Sequence, residues 1–139
     1  ACRFAQITRF SFQAAKLKQG QGRSMCIEFS RRQALDLWRD VTVASVRGEE
    51  PDLTARQQAV LMLVYCNIGP HTVRGLSEAL RIGKPAVSRA LDALEKLNLA
   101  RRRRDESDMR SVMVERTMRG TEFMAELADR ISERAKGLN

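Results

Sequence analysis

TVRGLSEALRIGKPAVSRALDALEKL, residues 72–97, decides the fold. Thr72 offers a capping hydroxyl ahead of Leu76, Ala79 and Leu80, which predicts a short helix. Ile82-Gly83-Lys84-Pro85 reads as a turn. Pro85 suits the first position of a second helix, in which Val87, Ala90, Leu91 and Leu94 recur at i, i+3, i+4 and i+7. The opposite face of that helix carries Arg89, Asp92 and Lys96. Two short helices joined by a tight turn, the second apolar on one side and basic on the other, form a helix-turn-helix arrangement.

Downstream, Asn98 can take the left-handed conformation that stops the second helix. The chain then runs through Arg101–Arg104, an acidic turn and SVMVER, which predicts a hairpin over 99–116. Helix-turn-helix plus basic hairpin spells a winged helix. A helix end fits the major groove, roughly 12 Å wide, while a hairpin tip bearing an Arg reaches the adjacent narrow groove. From Thr117 a final helix of about twenty residues is expected, with Phe123, Leu127, Ile131 and Leu138 along one stripe. Its length exceeds what one small lobe buries, which points to a partner helix.

Upstream, Ser30-x-x-Gln33 and Thr54-x-x-Gln57 have capping-box spacing and predict helices over about 31–46 and 55–67. Leu35 and Trp38 share one face of the first. Val60 to Tyr65 is apolar on every side, so the second should be central. Residues 1–24 hold five basic residues and no acid. They form a basic arm that touches a nucleic-acid backbone or covers a partner subunit, or else a mobile tail, or sequence upstream of a true start at Met25; their acid-free composition also resembles an organelle transit peptide. The expected class is mainly α with a small β-hairpin wing: a basic N-terminal arm (1–24), an N-terminal helix contributing to dimerisation (25–53), a winged helix-turn-helix lobe (54–116) and a C-terminal dimerisation helix (117–139).

Composition removes most other functions. The 139 residues suit one domain, and no apolar run approaches the roughly 18–20 residues that span a bilayer, so a cytoplasmic protein without a membrane partner is expected. Cys2, Cys26 and Cys66 form no CxxC pair and His71 is the only imidazole, which argues against a zinc site, a disulfide framework or a catalytic triad. No GxxxxGK[ST] or GxGxxG segment is present, so neither a nucleotide cofactor nor an enzyme is expected. The formal net charge of +8 favours a polyanion, with double-stranded DNA first. Basicity is also local: residues 71–119 carry twelve basic and seven acidic groups, while 25–53 and 120–139 are net acidic.

LTARQQAVLMLV, AVSRALDALEKLNLARR and Asp105-x-x-Asp108-x-Arg110 followed by Thr117-x-x-Gly120 together resemble the MarR family of bacterial transcriptional regulators. The resemblance covers about 53–120. It implies that the helix over 84–97 enters the major groove, that Arg110 enters the minor groove, and that the terminal helices build a two-fold dimer. Departures are Arg116 where the family usually has Leu, Asn98 where it usually has Gly, and a tail that ends after one helix.

The residues expected to bind DNA are Thr72 and Arg74 on the first helix, Lys84, Pro85, Ser88 and Arg89 on the second, and Arg102, Arg104 and Arg110 on the wing. Arg89 could instead pair with Asp92, and Arg110 with Asp108. Successive strand residues point to opposite faces, so about two of Arg101–Arg104 should meet phosphate. Leu35, Trp38, Phe123, Leu127 and Ile131 are expected to dimerise the chain. His71 reads as a turn residue. Trp38 and Tyr65 read as core or interface aromatics, and the resemblance offers the wall of a small-molecule effector pocket as the alternative. It likewise offers peroxide sensing for Cys26, against an ordinary apolar role; Cys66, set in the apolar helix, is the weaker candidate.

The leading function is a sequence-specific regulator, in the sense of a repressor, acting as a homodimer on a pseudo-palindromic operator. A winged-helix adaptor for protein contact and an architectural DNA binder of low specificity are the alternatives.

Overall fold

The computed structural model describes residues 29–108 and 110–137; the basic arm, Cys2, Cys26 and Leu138 lie outside them. Helix α1 spans Arg31–Arg47 and α2 spans Ala55–Cys66. Both start in the reciprocal caps read from the sequence. Ser30 Oγ accepts from the Gln33 N–H at 3.2 Å while Gln33 Oε1 accepts from the Ser30 N–H at 2.9 Å. Thr54 and Gln57 repeat the exchange at 3.3 and 2.8 Å. Each satisfies two N–H groups that a helix start otherwise leaves to water.

A two-residue strand, β1 (His71–Thr72), precedes α3 (Val73–Leu80). His71 therefore lies in a strand rather than a turn. Thr72 Oγ1 caps α3 by accepting from the Gly75 N–H at 2.9 Å. Arg81, at φ 52°, closes α3 in the left-handed region, and α4 (Lys84–Lys96) follows from the cap Gly83. Pro85 is the second residue of α4, not the first. Asn98 takes φ 56°, as its position after α4 requires.

Strands β2 (Ala100–Arg104) and β3 (Val112–Arg116) form the hairpin, and α5 runs over Met118–Lys136 from the cap Thr117. The sheet is antiparallel in the order β1-β3-β2, with His71 opposite Val114 and Arg102 opposite Val114 on the other side. Val60, Leu61 and Val64 of α2 are fully buried, as are Val87, Leu91 and Leu94 of α4 and Leu99 before the wing. Burying one such side chain stabilises the fold by about 1.5–3 kcal/mol. Cys66, by contrast, is exposed at the end of α2.

The first turns of α5 belong to the lobe. Thr117 Oγ1 accepts from the Gly120 N–H at 3.0 Å and donates to the Asn98 carbonyl at 2.6 Å. Tyr65 Oη accepts from the Thr117 N–H and donates to the Leu99 carbonyl, both at 2.8 Å. A Cβ on Gly120 would overlap that hydroxyl and that carbonyl oxygen. The spacing Thr117-x-x-Gly120 thus combines a cap with a close approach. Tyr65 ties α2 to the wing and to α5.

Helix α1 packs against α5, and their buried residues include Val41 and Leu127, each 4% exposed. Leu127 is therefore buried within one chain instead of presenting a dimer surface, and Phe123 packs onto the lobe core. Leu35 and Trp38 are different: they are 67% and 60% exposed, and with Val46 they leave an apolar stripe open on α1. No helix among the described residues is long and apolar enough to cross a membrane.

Candidate nucleic-acid interface

Helix α4 turns Val87, Ala90, Leu91 and Leu94 into the core, which fixes its other face toward solvent. Lys84, Pro85 and Arg89 are exposed there and Ser88 is half-buried. The pairing of Arg89 with Asp92 is not formed. Asp92 Oδ1 instead accepts from the Arg102 guanidinium at 2.6 Å. Among the described residues Lys84, Arg89, Arg104 and Arg110 make no ion pair, and neither does Arg81 in the turn between α3 and α4. Uncommitted cations on one face can neutralise phosphates of a duplex and release the cations condensed on it.

Thr72 and Arg74 stand at the start of α3. The Thr72 hydroxyl already serves as the cap. Arg74 Nε lies 2.9 Å from Glu78 Oε1, but both side chains are more than two-thirds exposed. Such a pair stabilises by about 0–1 kcal/mol and is readily exchanged for another anion.

The four consecutive arginines of β2 divide as strand alternation requires. Arg101 and Arg103 both reach Glu115 on the outer face, at 2.7 and 2.8 Å. Arg102 faces inward on the side of its cross-strand partner, the buried Val114, and meets α4. Its Nε and Nη2 donate to Glu95 Oε2 at 3.0 and 2.5 Å, and its main-chain N–H donates to Glu95 Oε1 at 2.6 Å. These hydrogen bonds hold the Glu95 carboxyl below its ordinary pKa, against the burial that would raise it. Arg102, expected to meet phosphate, is thus engaged inside the lobe, because two carboxylates of α4 face its strand. Arg104 remains exposed and unpaired.

At the wing tip, Asp105 Oδ1 accepts from the Ser107 hydroxyl at 2.7 Å and the Ser107 N–H at 2.9 Å, which lowers its pKa. Asp108 Oδ1 accepts from the main-chain N–H of Arg110 at 3.1 Å. The two aspartates fold the turn, and the Arg110 side chain is left exposed.

Arg116 has its own task. Its Nε donates to the Val64 carbonyl at 2.9 Å and its Nη2 to the Asn67 carbonyl at 2.8 Å, with the guanidinium 5.7 Å from the centre of the Tyr65 ring. The last turn of α2 has no basic residue, so β3 supplies the cation that its unpaired carbonyls favour. A groove between α1 and α5, lined by Arg39, Asp40, Val43, Ala44, Arg47, Gly48 and Arg134, includes neither Trp38 nor Tyr65. Among the described residues no group of His, Cys, Asp and Glu is arranged to hold a metal ion.

The MarR family model matches residues 53–112, from the end of the α1–α2 connection to the start of β3. The structure of the transcriptional repressor CouR bound to a 23-mer DNA duplex is 30% identical, covers 76% of this chain and 72% of that one, and has a TM-score of 0.59. The chain belongs to the MarR family. A mutant of MepR from S. aureus bound to an oligodeoxyribonucleotide shares the MarR fold at 22% identity, covering 80% of this chain and 83% of that one at a TM-score of 0.69. A transcriptional regulator of Thermotoga maritima does so at 21% identity, with 77% and 70% covered and a TM-score of 0.58. No protein of curated function matches the chain significantly.

Four residues placed by the fold escape a reading of the sequence. Asp92 and Glu95 look like solvated helix charges, Arg81 like a plain turn residue, and Arg116 like a departure from pattern. Packing of β2 and β3 on the helices gives Asp92, Glu95 and Arg116 their partners, while Arg81 is placed by closing α3 at φ 52°.

Proposed function

We propose that the chain represses transcription as a homodimer, each subunit offering α4 to the major groove and the wing to the adjacent minor groove of one half-site. The observation that carries this reading is the set of uncommitted cations. Lys84 and Arg89 on α4 and Arg104 and Arg110 on the wing lie on the two elements that a winged helix applies to one duplex, in a lobe that is net basic where 25–53 and 120–139 are net acidic. The DNA-bound states of CouR and of MepR support double-stranded DNA as the partner. In this reading Lys84, Pro85 and Ser88 meet backbone and base edges near the start of α4, Arg89 reads a base, Arg104 meets phosphate, and Arg110 enters the minor groove. Thr72 and Arg74 contact the flanking backbone.

The open stripe of Leu35, Trp38 and Val46 supports pairing through α1, and half-buried Ile131 of α5 contributes to it in this reading. A large apolar stripe on a helix is stable in water when a second copy covers it. Two-fold symmetry then sets the half-sites roughly 34–36 Å apart. Sedimentation of the chain alone and with a duplex carrying an inverted repeat tests this. Two chains per duplex, and dissociation to single chains on Trp38→Glu, are expected; one chain per duplex overturns the dimer.

A further inference from the structure

The geometry points to Arg102 as a positioning residue that locks the wing to the recognition helix, so that Asp92 and Glu95, though acidic, belong to the DNA-binding apparatus. This inference rests on the DNA-binding reading above. A two-stranded hairpin is marginal by itself, and here the third strand pairs over only two residues. Arg116 ties β3 to α2, and a separate tie holds β2 to α4. Glu95 supplies it by taking both the main-chain N–H and the guanidinium of Arg102, and Asp92, one turn earlier, takes the same guanidinium at 2.6 Å. Three hydrogen bonds from one arginine side chain, joined by one from its own backbone, fix the strand and not merely a flexible side chain. With the Arg102 and Glu95 side chains each 29% exposed, water competes weakly for them.

The consequence is geometric. Arg89 on α4 and Arg110 at the wing tip must reach neighbouring grooves of one duplex together, and among the described residues this cluster is the polar tie between their elements. Arg102 also screens Asp92, which shares the exposed face of α4 with Arg89 and would otherwise repel phosphate.

The test exploits opposite signs. Removing two negative charges from a DNA-binding face strengthens binding if electrostatics alone decide, whereas loss of the anchor weakens it. The duplex best retained from a random pool is titrated at about 150 mM salt with the wild-type chain, with Asp92→Asn/Glu95→Gln, with Arg102→Ala, and with each combined with Arg110→Ala. Weaker binding by the isosteric double variant, about tenfold, is expected. Arg110→Ala should then cost several-fold less in the Arg102→Ala background than in the wild type, since a displaced tip has little to lose. Tighter or equal binding by the double variant, or full additivity of Arg102→Ala and Arg110→Ala, overturns the proposal. Helical far-UV melts check that each variant is folded; Glu95→Gln, which keeps the acceptor for the Arg102 N–H, replaces the double variant if that one is not. A wild-type chain that retains no duplex overturns the DNA-binding reading itself, whereas a binding wild type with tighter-binding variants overturns the anchor alone.

Discussion

Asp92 stands one turn beyond Arg89 on the exposed face of α4, yet its carboxylate is held by Arg102 from the wing at 2.6 Å and leaves Arg89 without an ion pair. The internal pairing of one arginine therefore keeps another available. Arg102 and Arg104 are neighbours on one face of β2, but only the first has carboxylates within reach.

Arg89 and Arg104 should accordingly fail in different ways. Arg89→Ala should cost about 1–3 kcal/mol of discrimination at a single base pair, while Arg104→Ala should weaken all sequences alike and reduce the slope of log affinity against log salt by about 1. Titrations on the preferred duplex and on single-base variants, at several salt concentrations, separate the two. A uniform loss with Arg89→Ala would remove it from base reading.

Gly120→Ala should destabilise the chain by about 2–4 kcal/mol, because the added methyl displaces the Tyr65 hydroxyl and strips the Leu99 carbonyl and the Thr117 N–H of their partner. Tyr65→Phe leaves the same two groups unpaired without the overlap and should cost less, about 1–3 kcal/mol. Urea melts monitored by circular dichroism give both values. Equal costs would mean that overlap contributes nothing.

The pH dependence follows from Glu95. Its pKa is lowered in the folded chain, first by the hydrogen bond from the Arg102 side chain. A lowered carboxylate contributes stability that is fully present above its unfolded pKa, near 4.3, and is lost as pH falls through the folded value. Wild-type stability should therefore fall more steeply below about pH 4.5 than that of Glu95→Gln, the two curves converging at low pH. Parallel curves from pH 7 to 3 would contradict this role.

Much of the fold is legible in the sequence, and the reasons differ by element. Capping boxes at Ser30 and Thr54, the hydroxyls of Thr72 and Thr117 and the tolerance of Asn98 for positive φ are local chemistry, and local chemistry is written in adjacent residues. Strand β1 is not legible, since two residues show no period. The stripe through Phe123 and Leu127 announces a covered face but not whether its cover is another chain or the same one. Four consecutive arginines announce positive charge, while the choice among phosphate, Glu115 and Glu95 is made by carboxylates that only the folded hairpin brings near. Pro85 lies one place from its expected position because Lys84 opens the helix.

Selection of bound duplexes from a random pool at about 150 mM salt tests the central claim most directly, since purely electrostatic binding is already weakened there. Recovery of an inverted repeat with half-site centres about one helical turn apart is the predicted result. Recovery of unrelated duplexes, or of none, would contradict a dimeric, sequence-reading regulator.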